Sequence, residues 1–242
     1  MIGVDGIIVS EMAYGDTSKI INILTKEYGI IGIIAKGAKQ LKSELRSATD
    51  KITYGKFNII YKKDKLSTLV SVDVYDNFKQ IRKDLIKISF ASFLIDLSEQ
   101  VYKQNQNEKI LDLLLSALFK INENYDPLVI TNIIELKYLD FLGVMPIIDA
   151  CAVCGSNTHI VTINADKGGY ICQNCHTSEF IVTDKTIKLI RMYYYVEISK
   201  ITKMSVSEKT SKEINYFLDD YYSRYTGLYL KSKTFLKELN RL

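Results

Sequence analysis

The chain has 242 residues, of which 47% are hydrophobic and 25% charged, with a formal net charge of +4. This is enough for one large or two modest domains with a packed core, and it excludes a chain too polar to fold. The overall charge is too mild to argue for nucleic acid by itself, so the placement of the charges has to decide. The start, Met1-Ile-Gly-Val-Asp5, lacks the basic beginning and sustained apolar core of a secretory leader. The longest apolar runs, such as residues 30–35, are far too short to span a bilayer. These features lead us to expect a soluble cytoplasmic protein with no membrane association, whose thiols stay reduced.

Residues 1–78 read as β. Candidate strands at 4–12, 19–25, 30–35, 57–61 and 67–74 are rich in branched apolar residues and separated by turn chemistry such as Tyr14-Gly15-Asp16 and Lys62-Lys63-Asp64-Lys65. A short helix fits 40–48, between the third and fourth strands. Short strands this close together suit a small barrel, and a helix in that position is the plan of an OB-fold, although other small barrels remain open.

The period then changes. Over 77–101, Ile81, Leu85, Ile88, Phe93, Leu97 and Val101 recur near the helical repeat, and Leu111, Leu114, Leu115, Leu118 and Ile121 repeat the signal. Asp126-Pro127 starts a third helix, 128–142, with Asp as N-cap and Pro at the first helical position. It is apolar on nearly every side, which predicts a place at the centre of a bundle. Helical pattern returns at 184–198, after Ser205 with Glu208 as a capping box, and at 233–239. The tyrosines at 193–195 point in different directions on a helix, so core and rim packing is the better reading than base stacking. The fold class expected is α+β and multidomain. An OB barrel (1–78) precedes a helical bundle (79–150 and 184–242) that carries a cysteine module (151–183).

That module holds every cysteine of the chain, as Cys151-Ala-Val-Cys154 and Cys172-Gln-Asn-Cys175. A two-residue gap lets a tight turn aim both thiolates at one ion, and two such turns supply the four sulfurs of a closed structural zinc site. A redox pair, two disulfides or an iron–sulfur cluster are the competing readings. His159 and His176 lie nearby, and His176 could stand in for a ligand, though a surface role suits it better. Four thiolates leave no open coordination position, so the metal is expected to be scaffold only.

Residues 36–65 carry nine basic side chains and three acidic ones, an excess of +6 that exceeds the +4 of the whole chain. Lys36, Lys39, Lys42, Arg46, Lys62, Lys63 and Lys65 are the candidates for phosphate contact. A solvated face whose lysines only aid solubility explains the charge equally well. Tyr54, Phe57 and Tyr61 are the aromatics available for base stacking, and some of them must be core. There is no phosphate-binding G-x-x-x-x-G-K-[ST] loop, no G-x-S-x-G elbow and no other catalytic constellation.

In order and spacing, several runs resemble the RecO family of bacterial DNA-repair and recombination mediators. They are Tyr14-Gly15-Asp16-Thr17-Ser18-Lys19-Ile20, Glu27-Tyr28-Gly29, Ala35-Lys36-Gly37-Ala38-Lys39, Lys42-Ser43-Glu44-Leu45, the Leu139 to Gly143 stretch, Gly168-Gly169-Tyr170-Ile171-Cys172 and the tail from Tyr229 to Leu236. The resemblance implies an amino-terminal OB-fold, a helical domain and a zinc-binding insertion. It implies a cytoplasmic, nucleoid-associated protein that binds single- and double-stranded DNA and anneals complementary strands. Partners implied are RecR, often RecF, and the acidic tail of single-strand-binding protein. It carries DNA binding to Lys36, Lys39, Lys42 and Arg46, and metal binding to Cys151, Cys154, Cys172 and Cys175, with no enzymatic activity. The reading that competes is a protein-interaction adaptor with no direct role on DNA.

Overall fold

A computed structural model describes residues 1–239. Residues 240–242, the end of the second expected helical part, lie outside the described residues. Strands β1 (Ile2–Tyr14), β2 (Ser18–Thr25), β3 (Gly29–Ala35), β4 (Tyr54–Ile60) and β5 (Ser67–Asp76) close into a barrel in the order β1-β2-β3-β5-β4. Neighbours are antiparallel except β3 and β5, which run parallel with Ile33 opposite Ser67 and Ile34 opposite Thr68. Because side chains alternate along a strand, Ile21 and Ile23, Ile31 and Ile33, and Phe57 and Ile59 all point inward and form the core. β1 serves two partners: Ile2 to Ile7 pair with β4, while Gly6 to Tyr14 pair with β2 across a bulge between Ile8 and Ser10. The bulge bends the strand so that one continuous segment can close the barrel. This is the expected OB barrel.

Replacing the fully buried Phe57 by alanine should cost about 3–5 kcal/mol of unfolding free energy. Urea denaturation followed by circular dichroism measures this, and a loss below about 1 kcal/mol would mean the phenyl ring is not a core element.

Helix α1 (Leu45–Ala48) sits between β3 and β4 and is shorter than the 40–48 helix expected. Before it the chain makes separate turns, with the Gln40 N–H donating to Gly37 and the Ser43 N–H to Gln40. Gly37 takes a left-handed φ of 69°, and the Ser43 hydroxyl accepts from the Leu45 N–H at 3.3 Å. Both features favour a turn over a helix at this point. Leu45 packs against the barrel core.

The single helix expected over 77–101 is two, α2 (Lys79–Arg82) and α3 (Leu85–Gln104). Asp84 divides them: its backbone is extended and its carboxylate accepts from the Ile86 and Lys87 N–H groups, which makes it an N-cap. Helix α4 (Lys109–Asn122) follows. Two compact units emerge, one comprising the barrel, α2–α4 and the described chain from Ser232, the other Glu123–Lys231. In the first unit Lys51 reaches Asp96 of α3 at 2.7 Å and Lys26 reaches Asp112 of α4 at 3.2 Å. Gly29 has a φ of 67°, and a side chain there would meet the Tyr102 ring of α3, so only glycine fits both demands.

The second unit is built on α5 (Pro127–Phe141), capped by Asp126 as expected and buried along almost its whole length. Asn132 and Glu135 are buried on it, and the Asn132 amide donates to the Ser211 carbonyl while the Tyr222 hydroxyl donates to that of Glu135. Those partners belong to α7 (Glu208–Tyr225), which with α6 (Asp184–Tyr195) completes the bundle. α6 stops short of residue 198, where a single 3-10 turn (Ile198–Lys200) follows. The N-cap of α7 is Ser207, accepting from the Thr210 N–H, rather than Ser205. Tyr193 is fully buried and Tyr195 exposed, as core and rim packing require. Helix α8 (Lys231–Leu239) ends the described chain. No described helix is long and apolar enough to cross a membrane.

Candidate metal centre and nucleic-acid interface

Between α5 and α6 lie β6 (Ile160–Asn164) and β7 (Gly169–Cys172), an antiparallel hairpin. Each cysteine pair sits on its own backbone knuckle. The first knuckle is closed by the Gly155 N–H donating to the Cys151 carbonyl at 2.9 Å, with Gly155 at a φ of 76°. In the second, the Cys175 and His176 N–H groups both donate to the Cys172 carbonyl, at 3.1 and 3.0 Å. The result brings all four Sγ atoms within 4.8 Å of one another.

A tetrahedron of sulfurs about 2.3 Å from zinc has edges of about 3.8 Å, and Cys154 and Cys172 are 3.7 Å apart. The donor set therefore fits a four-thiolate site. Burial pushes the Cys151 thiol up, but the backbone N–H groups of Cys172, Cys154 and Val153 outweigh it and bring it down to about 6. Cys175, hydrogen-bonded first of all to Cys154, is pushed up to about 12. Without a cation, sulfurs this close share protons rather than ionise together. His176 is not a fifth candidate, because its Nε2 lies 2.8 Å from the Glu179 carbonyl oxygen.

The seven candidate cations of the barrel are all exposed. Among the described residues, Lys36, Lys42, Arg46, Lys62, Lys63 and Lys65 have no ion-pair partner. Lys39 donates to the Gly15 carbonyl at 3.2 Å and its N–H to that of Thr17, which ties the basic segment to the β1–β2 turn. The barrel topology parts the seven into two groups. Lys36, Lys39, Lys42 and Arg46 lie beyond the last residue of β3. Lys62, Lys63 and Lys65 lie before the first residue of β5, which pairs in parallel with β3, and so belong to the other end. There Tyr61 meets Tyr28 of the β2–β3 turn, with ring centroids 5.3 Å apart. Ser67 stands level with Ile33, so the chain carrying this second group runs back from there toward the start of β3.

Residues 1–78 match the family described as "Recombination protein O N terminal", and 82–234 match "Recombination protein O C terminal". The chain belongs to the recombination protein O family. Among its relatives, the DNA repair protein RecO of Listeria monocytogenes is 32% identical over 98% of this chain and 94% of its own length. The proteins of that name from Bacillus pumilus and Bacillus cytotoxicus are also 32% identical, with 94% and 97% of their own lengths covered. Membership makes the chain a recombination mediator in DNA repair rather than an enzyme.

Of the aromatics singled out in the sequence, Phe57 is core and Tyr54 packs against Tyr75 and Phe119. Only Tyr61 stays exposed, and its partner Tyr28 escapes a reading of the sequence. Also missed is the outer face between the two basic groups, where Met12, Ile20 and Ile34 stand opposite one another across β1, β2 and β3. The signal for them was the outward half of the strand alternation, which here is apolar where a solvated strand would be polar.

Proposed function

We propose that the barrel binds single- and double-stranded DNA through its two basic groups and anneals complementary strands. In this reading it acts with RecR, and with RecF, to help load recombinase onto strands coated by single-strand-binding protein, whose acidic tail it docks. The observation that supports it is the set of exposed, unpaired cations at both ends of β3, flanking an outer face with Met12, Ile20 and Ile34. OB barrels bind strands across the face of β2 and β3 between the loops at its two ends. Phosphates would lie against Lys36, Lys39, Lys42 and Arg46 at one end and Lys62, Lys63 and Lys65 at the other. The Tyr28–Tyr61 pair offers a stacking surface beside the second group. Zinc held by Cys151, Cys154, Cys172 and Cys175 would supply folding energy to the ribbon and no chemistry.

The test is a salt titration of binding to a labelled oligodeoxythymidylate. Seven phosphate contacts predict a slope of log K against log salt near about −5, and engagement of the first group alone about −3. A slope near zero, with partner binding retained, would favour the adaptor reading instead.

A further inference from the structure

At the mouth of the barrel a depression of about 660 Å³ is lined by Lys19, Lys39, Ser43, Arg46, Ser47 and Asp50, among others. Lys39 and Arg46 bring their charge to it with no carboxylate bound to either among the described residues, Lys39 also donating to the neutral Gly15 carbonyl. Lys19 differs: its Nζ lies 2.7 Å from Glu11 Oε2 and 2.8 Å from Asp50 Oδ1. The three groups together carry a net charge of −1 beside the most basic segment of the chain. Burial works against the Lys19 charge, yet the hydrogen bonds it donates to Asp50 and Glu11 more than offset this and raise its pKa, so the ammonium is fully charged at neutral pH. Only 17% of its side chain is exposed, and that portion faces the depression lined by the freer cations.

We propose that Glu11 and Asp50 hold Lys19 in reserve as a third phosphate-binding cation of this depression, and so set how strongly the barrel mouth grips a nucleic-acid backbone. This rests on the reading that this end of the barrel binds DNA. A phosphate entering the depression meets Lys39 and Arg46 unopposed, but it competes for Lys19 with two carboxylates already at hydrogen-bond distance. The carboxylates also repel it. Charge-assisted bonds of this length are strong, so the resident acids win and the contact is muted. An annealing protein must release the strand it has paired, and a muted contact suits that cycle.

Anisotropy titrations of a labelled oligodeoxythymidylate across a range of potassium chloride test this. The Glu11→Gln/Asp50→Asn variant frees one cation for phosphate, which deepens the salt slope by about 0.7 and tightens binding about fivefold near 0.1 M salt. Asp50→Asn alone shifts both in the same direction by less, and keeps the backbone bonds of Asp50 with Ser47 and Thr53. Lys19→Gln leaves both carboxylates bare and weakens binding. Adding Glu11→Gln and Asp50→Asn to Lys19→Gln restores the wild-type affinity without deepening the slope. If the triad is only a staple between β1, β2 and the turn after α1, the acid variants lower the thermal midpoint and leave the slope unchanged, which overturns the proposal. Loss of binding in Lys36→Glu/Lys39→Glu/Lys42→Glu alongside an unchanged slope in the acid variants defeats this inference alone. Retained binding in that triple variant defeats the placement of the DNA site itself.

Discussion

Replacing Lys36, Lys39 and Lys42 together by glutamate is expected to lower affinity for single-stranded DNA by about a hundredfold at 0.1 M salt, and to abolish annealing. Each lost phosphate contact removes about 0.7 from the salt slope, so three contacts leave log K roughly 2 lower. The added carboxylates repel the backbone and push the loss further. The fold should survive, since all three side chains are exposed and the only described side-chain bond lost is that of Lys39 to the Gly15 carbonyl. Anisotropy and a strand-annealing assay read the effect, with circular dichroism as the check on folding. The same reversal at Lys62, Lys63 and Lys65 shows whether the far end of β3 takes part. An equal loss there means the strand crosses the whole outer face of the barrel, and no loss confines it to the end near Arg46. Wild-type annealing in the first variant would remove the DNA site from this end of the barrel.

The charge excess was visible in the sequence as one run, but its division was not. Residues 36–46 and 62–65 are near neighbours in the chain, and nothing local says that they leave β3 in opposite directions. That follows from the parallel pairing of β3 with β5, which exists only once the barrel closes. The contact of Tyr28 with Tyr61 has the same origin, since it joins the β2–β3 turn to the end of β4. The reserve cation was hidden in the same way. Lys19, Glu11 and Asp50 come from three separate segments, and Lys19 reads from sequence as an ordinary surface lysine.

Features encoded within a few residues could be read in advance. The strands are legible because their inward positions carry branched apolar side chains at every second residue. The start of α5 is legible because Asp126-Pro127 states both its cap and its first turn. The break at Asp84 was not, because the apolar repeat continues across it and no glycine or proline marks it. Aspartate is tolerated within helices, and only its bonds to the Ile86 and Lys87 N–H groups show it acting as a cap. At α7 two serines stand close together before the helix, and the one nearer Thr210 wins the bond.

The cysteine cluster was the most legible site of all, and it sets the second large effect. With zinc as the bound ion, metal analysis is expected to find one zinc per chain, and strong chelation to open the ribbon. Structural zinc contributes on the order of 10–16 kcal/mol to folding in small modules, far more than the short β6–β7 hairpin could supply alone. Proteolysis should then cut within residues 151–175, which are protected in the holo-protein. Cys172→Ser should act like chelation, because the buried Cys172 supplies a sulfur and its own N–H donates to Cys151 Sγ at 3.4 Å. Serine keeps that N–H but replaces a polarisable thiolate by a hydroxyl that zinc holds weakly. The barrel belongs to a separate compact unit, so its unfolding midpoint and its salt-dependent DNA affinity should be unchanged in the same sample. Protease resistance of the ribbon after the metal is gone would show that the hairpin stands without it. A parallel loss of DNA binding would show instead that the ribbon belongs to the interface as well as to the scaffold.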